Sequence, residues 1–209
     1  PPLRSSAASD VYKRQYLSHS KIDIFLEFLA FFFGIISVIY AKKENIFVYP
    51  TGIICTVITV YLLYKAQYFG DMMMNVYYSL MSLYGWWNWS RKDKNRYLVK
   101  IARFSKEDTW LTILLFTFTI FITYSVYKFN INEIAIPNYI DIFTSGLFFV
   151  AMWLMANKKL ESWIFWIIAD IVTVPLYAYR GLGILSLQYI IFTILAIQGY
   201  IEWKKSLDK

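Results

Sequence analysis

Two tryptophans and an acid share one face of the stretch "ESWIFWIIADIVTVPLYAYRG" at 161–181. At the helical increment of roughly 100° per residue, Trp163, Trp166, Asp170, Thr173 and Tyr177 fall within an arc of about 80°. The indoles lie before the carboxylate, and a hydroxyl and a phenol follow it. This is a set of groups suited to a flat cation. Indole faces attract positive charge by about 2 kcal/mol or more when desolvated, and the carboxylate supplies the counter-charge. Asp170 sits halfway along an apolar run, where an acid costs roughly 2.5–3.5 kcal/mol on the membrane-insertion scale. A cationic ligand would offset that cost. Pro175 lies off the stripe, where it can bend the helix without disturbing the line of side chains.

A second stripe runs through 69–89, where Asp71, Asn75, Tyr78, Ser82, Trp86 and Trp89 also fall within about 80°. Asn75 and Tyr78 are deep enough to touch a ligand, and Gln188 and Gln198 offer amides in the last apolar run. Interfacial belts are the bland reading for tryptophans near helix ends. Hydrogen bonds between helices are the bland reading for Ser82 and Asn75.

Seven apolar runs must position these groups, at 22–41, 46–64, 71–90, 109–127, 139–156, 162–180 and 184–203. Each holds roughly 18–20 residues, the number that crosses a hydrocarbon core of about 30 Å. None alternates with the period of a barrel strand, so the runs read as helices. The chain of 209 residues is 58% hydrophobic and 21% aromatic, with mean hydropathy +0.45, which places it among integral membrane proteins. The expected fold class is all-α integral membrane with seven transmembrane helices.

The net charge of +7 is placed asymmetrically. Lys42, Lys43, the seven basic residues from Arg91 to Lys106, Lys158, Lys159, Lys204, Lys205 and Lys209 make 14 of the 21, all on one side. The positive-inside rule then predicts a multi-pass protein of the cytoplasmic (inner) membrane, N-terminus outside and C-terminus in the cytoplasm. The same placement argues against a nucleic-acid surface. The lone cysteine, Cys55, is within a helix and the lone histidine, His19, is in the N-terminal tail, which leaves no His/Cys metal site and no cofactor to expect. An intramembrane enzyme would need an acid–base pair in hydrogen-bond reach, and Asp170 has no deep ionisable companion. A channel would need a ring of repeated polar groups.

The chain also carries a faint duplication. "IDIF" opens the first helix at 22–25 and the fifth at 140–143, and each helix exits through "KK" at 42–43 and 158–159. A shift of 114 residues aligns "TVYL" (59–62) with "TVPL" (173–176), Gly85 with Gly199 and Trp89 with Trp203. The same shift sets Tyr49 where the second unit has Trp163, and Thr56 where it has Asp170. The predicted organisation is a tail at 1–20 (disordered or non-native), a three-helix bundle at 21–92, a basic cytoplasmic loop and linker helix 4 at 93–138, and a second bundle at 139–205. An odd number of intervening helices keeps both triplets in the same orientation, a 3+1+3 parallel repeat of the kind transporters use around a site near the midplane.

At "FGDMMMNVYYSLMSLYGWWNW" (69–89) and "ESWIFWIIADIVTVPLYAYRGL" (161–182), with the closing "GYIEWKK", the sequence resembles the PnuC family of vitamin transporters. The resemblance covers the chain from about residue 22. It implies two three-helix bundles joined by a linker helix, similar to SWEET-type sugar transporters, and a homotrimer. It implies uptake of nicotinamide riboside by facilitated diffusion, trapped by a cytoplasmic kinase, with Trp163 and Trp166 as the clamp on the base and Asn75 presenting an amide. Thiamine, carried by relatives and likewise a flat aromatic cation, and an H⁺-coupled carrier of a cationic vitamin are the alternatives.

Overall fold

The computed structural model describes residues 21–65, 69–94, 96–130, 134–179 and 183–208; the tail at 1–20 lies outside the described residues. Seven α-helices occur among them: α1 Lys21–Lys42, α2 Val48–Lys65, α3 Phe69–Ser90, α4 Lys106–Asn130, α5 Ile136–Ala156, α6 Ser162–Tyr179 and α7 Gly183–Leu207. Five of them (α1, α2, α4, α5 and α6) are long and apolar enough to cross a membrane. The other two, α3 and α7, carry the chain's in-run amides, Asn75, Asn88, Gln188 and Gln198. The protein is thus all-helical and multi-pass. Its helix bounds follow the apolar runs closely, because in hydrocarbon each backbone N–H must find its partner within its own segment.

Helix α2 packs between α1 and α3, and α6 packs between α5 and α7. The two groups meet along α1–α7 and α3–α5. The α3–α5 seam is laced by side chains: Tyr77 stacks on Phe149 at 3.7 Å, and its hydroxyl donates to the Phe149 carbonyl at 3.0 Å. One helical turn pair further, Tyr84 stacks on Trp153 at 5.8 Å and donates to Asn157 Oδ1, while Asn88 Nδ2 donates to the Ala156 carbonyl. Helix α4 rests on α5, where Phe116 packs edge-on against Phe143 and lies over Gly146. Its other face exposes Trp110, Leu114, Phe118 and Phe121, an apolar surface fit for lipid.

One arrangement occurs twice, 114 residues apart. In α2 the Tyr49 ring lies on Gly85 of α3 and meets Trp89 edge-on at 5.1 Å. In α6 the Trp163 ring lies on Gly199 of α7 and meets Trp203 edge-on at 5.4 Å. Each seat needs glycine, since a Cβ at Gly199 would sit 2.6 Å from the indole and one at Gly85 would strike the phenol. The outer indoles then cross between the groups. Trp89 Nε1 donates to the Ala156 carbonyl at 3.2 Å, and Trp203 Nε1 to the Ala41 carbonyl at 3.0 Å. Trp89 and Trp203 approach each other to 5.9 Å, closing one end of the bundle around Tyr49, Met155, Leu160 and Trp163. The α1–α2 and α5–α6 turns above this core match too: Glu44 (φ 53°) and Lys158 (φ 52°) both take left-handed backbone.

The basic segment after α3 is more ordered than a connector. Strands β1 Lys92–Asp93 and β2 Arg96–Tyr97 form a short antiparallel hairpin. Ala102 then bridges the α5–α6 turn, donating to the Lys158 carbonyl and accepting from Leu160 N–H, both at 3.0 Å. Phe104 N–H donates to Glu161 and Lys159 pairs with Asp108 at 2.6 Å, so this loop is pinned to the second group of helices.

Candidate substrate site

Asp170 lies at the middle of α6 and is 2% exposed. No side chain or backbone group among the described residues hydrogen-bonds or ion-pairs with it. A buried acid is stable as an anion only when a cation or donors meet it. One turn on, Thr173 is buried too, but its hydroxyl donates to the Ala169 carbonyl at 2.7 Å, which leaves it only acceptor capacity toward a ligand.

One turn before Asp170, Trp166 is half-buried and joins a run of rings from four helices. Its centroid lies 6.4 Å from Tyr78 of α3 and 5.6 Å from Phe148 of α5. Phe148 continues to Tyr189 of α7 at 5.9 Å, and Tyr189 stacks on Tyr177 of α6 at 5.3 Å. Three expected residues, Trp166, Tyr78 and Tyr177, are therefore brought together, and Phe148 and Tyr189 link them. Sequence reasoning missed those two. The signal for Tyr189 was present, since the 114-residue shift sets it opposite Asn75; Phe148 aligns with Gly34 and gave no sign.

The structure separates the tryptophan pair. Trp163 is 1% exposed and belongs to the end core with Trp203 and Gly199, while Trp166 borders that core and turns to Tyr78 and Phe148. Tyr49 sits in the same core. Thr56 is engaged between helices, its Oγ1 sharing a hydrogen bond of 2.7 Å with Ser79. Asn75 is half-buried on α3, one turn before Tyr78. Gln188 is half-buried beside Gly34 of α1, its Nε2 3.8 Å from where a Cβ there would stand. Beyond these, a cleft of 250 Å³ between α6 and α7 is lined by Ile171, Val174, Ile190, Thr193 and Ile194, and offers no charged group. Among the described residues no cluster of His, Cys, Asp and Glu could hold a metal.

The family model described as nicotinamide mononucleotide transporter matches residues 24–205. The nicotinamide riboside transporter PnuC of Escherichia coli K12 is 26% identical over 197 residues, covering 83% of this chain and 82% of that protein. The protein of the same name from Neisseria mucosa is 26% identical over 199 residues, covering 90% of this chain and 74% of that one. The crystal structure of the vitamin B3 transporter PnuC superposes with a TM-score of 0.70 over 96% of this chain and 86% of that chain, at 22% identity, which is a shared fold. A helical membrane fold with a ring-lined, acid-bearing interior, matched by the family from its first helix to its last, has one reading: the chain belongs to the PnuC family of membrane transporters and is not an enzyme.

Proposed function

We propose that this protein takes up nicotinamide riboside by facilitated diffusion, with cytoplasmic phosphorylation trapping the product. The observation that carries the reading is Asp170, buried at mid-helix without a partner beside the Trp166–Phe148–Tyr189 rings. Nicotinamide riboside is a flat aromatic cation, so the rings stack on the base and the carboxylate balances its charge. The named relatives support that substrate. Asn75, Gln188 and Thr56 supply polar contacts toward the ribose from the opposite side, and Thr173 accepts from its hydroxyls. Trp163 and Tyr49 act behind this layer, holding the end core shut beneath the ligand.

The frame for this activity is a 3+1+3 parallel repeat, with bundles at 21–92 and 139–205 and the loop and linker helix at 93–138 between them. The paired seats of Tyr49 and Trp163 and the paired turns at Glu44 and Lys158 support it. The charge distribution supports a cytoplasmic-membrane protein with its C-terminus inside, the end core and the basic loop facing the cytoplasm. The exposed apolar face of α4 is suited to packing in a homotrimer. Proteoliposomes test the function: labelled nicotinamide riboside should equilibrate without gradients and accumulate only when a riboside kinase and ATP are enclosed. Preference for thiamine over the riboside would move the substrate. Accumulation of unphosphorylated riboside driven by H⁺ would replace facilitated diffusion with a coupled carrier.

A further inference from the structure

Three lysines at the closed end of the bundle are held in ion pairs. Lys42 pairs with Glu202 at 3.5 Å, Lys158 with Glu44 at 3.4 Å and Lys159 with Asp108 at 2.6 Å. Arg91, Lys92 and Lys94 make no ion pair among the described residues, and all three are exposed. Two of them, Arg91 and Lys92, lie over aromatic faces. The Arg91 guanidinium lies 5.1 Å from the Trp87 ring, and Lys92 Nζ lies 4.5 Å from the Tyr97 ring across the β1–β2 hairpin.

These rings are open to the outside: Trp87 is 59% exposed, Tyr97 54% and the neighbouring Leu98 53%, at the C-terminal end of α3. The Leu98 N–H donates to the Arg91 carbonyl at 3.0 Å, which closes the hairpin back onto the helix end. The result is a small shelf with an apolar rim of indole, phenol and leucine, and with three cations and one carboxylate, Asp93, along it. Indole and phenol rings sit by preference at the depth of lipid headgroups, and basic residues at that depth attract anionic lipid.

We propose that the Arg91–Lys94 shelf is a docking site for the headgroup of an anionic phospholipid, with Trp87, Tyr97 and Leu98 seated against its acyl–glycerol region. Charge complementarity chooses the occupant. Asp93, exposed on the same hairpin, offsets only one of the three cations. A zwitterionic headgroup would therefore bring its own ammonium to a positive surface, whereas a phosphodiester anion reduces the remaining excess. An arginine over a ring face has five N–H donors and a lysine three, so both still have donors to offer phosphate oxygens.

The test uses the full chain in phosphatidylcholine bilayers containing a minor fraction of brominated phosphatidylglycerol or brominated phosphatidylcholine, with tryptophan quenching as the readout. The expected result is preferential quenching by the phosphatidylglycerol, corresponding to a relative affinity on the order of 10-fold at low salt and shrinking as salt is added. The Arg91→Gln/Lys92→Gln/Lys94→Gln variant is expected to lose the preference, and the Arg91→Lys/Lys92→Arg/Lys94→Arg variant to keep it, which separates charge from fold. Equal quenching by the two lipids in the unaltered chain overturns the proposal. So does a preference that survives the glutamine variant, since Lys43, Lys204 and Lys205 would then supply it. Displacement of the lipid by inorganic phosphate, beyond the effect of chloride at equal ionic strength, assigns the shelf to a soluble anion and also overturns it.

Discussion

Glu44 and Lys158, 114 residues apart in sequence, share a left-handed backbone conformation and meet in an ion pair of 3.4 Å across the two groups of helices. Lys158 also lies 4.5 Å over the Trp89 ring. The two turns are alike in backbone but unequal in what their side chains do. Glu44→Gly relieves a left-handed cost of about 1–2 kcal/mol but gives up the carboxylate that pairs with Lys158 and accepts from Ser206 at 3.2 Å. Lys158→Gly relieves the same strain but removes a buried ammonium from both a carboxylate and an indole. Both variants lose the ion pair, so thermal unfolding in detergent is expected to fall further for Lys158→Gly, which also loses the Trp89 contact; equal shifts would mean that this contact contributes nothing.

Trp163 and Trp166 are one turn apart and are expected to fail in different assays. Trp163→Ala empties a seat in the end core, a loss of about 3–5 kcal/mol in stability, with little change in ligand affinity in the fraction that remains folded. Trp166→Ala removes a half-buried ring face and is expected to weaken any flat ligand, with a smaller loss of stability. Melting curves and calorimetric titrations of the two variants, read together, decide it. A matching loss of affinity in both would restore a two-indole clamp.

Asp170→Asn keeps shape and removes charge. Losing the counter-ion to a partly desolvated cation is expected to cost on the order of 1–3 kcal/mol, about 5- to 150-fold in affinity. A reduced-ring, neutral analogue is expected to lose much less. Equal weakening of the cationic and neutral ligands would make Asp170 a structural acid.

Gly199→Ala places a methyl 2.6 Å from the Trp163 indole, and Gly85→Ala does the same to Tyr49. Neither ring can retreat, because each is wedged edge-on against a second indole. Overpacking of this kind costs about 1–3 kcal/mol, and both variants are expected to melt earlier. An unchanged melting temperature in either would show that its seat yields.

Single cysteines placed between 91 and 106 on a Cys55→Ser background are expected to react with an impermeant reagent only after cells are opened. Labelling in intact cells would reverse the orientation of both helix groups.

Hydropathy made the helices legible because membrane insertion acts on composition summed over a span, so α1 at Lys21–Lys42 lies within a residue or so of the run at 22–41. The face of α6 was legible for the same local reason: helical spacing alone sets which residues point together. Depth and neighbours were not. Trp163 and Trp166 share a face, yet Gly199 admits one into the core while Phe148 receives the other, and both of those partners come from other helices. The docking of Ala102 onto the α5–α6 turn was hidden because backbone pairing between distant loops leaves no periodicity.

The crossed indole bonds also fix a sequence of events in the making of the protein. Helices emerge from the ribosome one after another, and α1 and α2 can pair as soon as both are inserted. The carbonyl of Ala41 must nevertheless wait for Trp203, 162 residues downstream and a few residues from the last one described. Until then the Ala41 carbonyl has only the Glu44 N–H of its own turn, at 3.1 Å, and that end of the first helix group has no lid. A chain stalled or truncated inside α7 would therefore leave the apolar end core around Tyr49 and Trp163 without its Trp203 cover, the kind of incompletely packed species that is prone to misassembly.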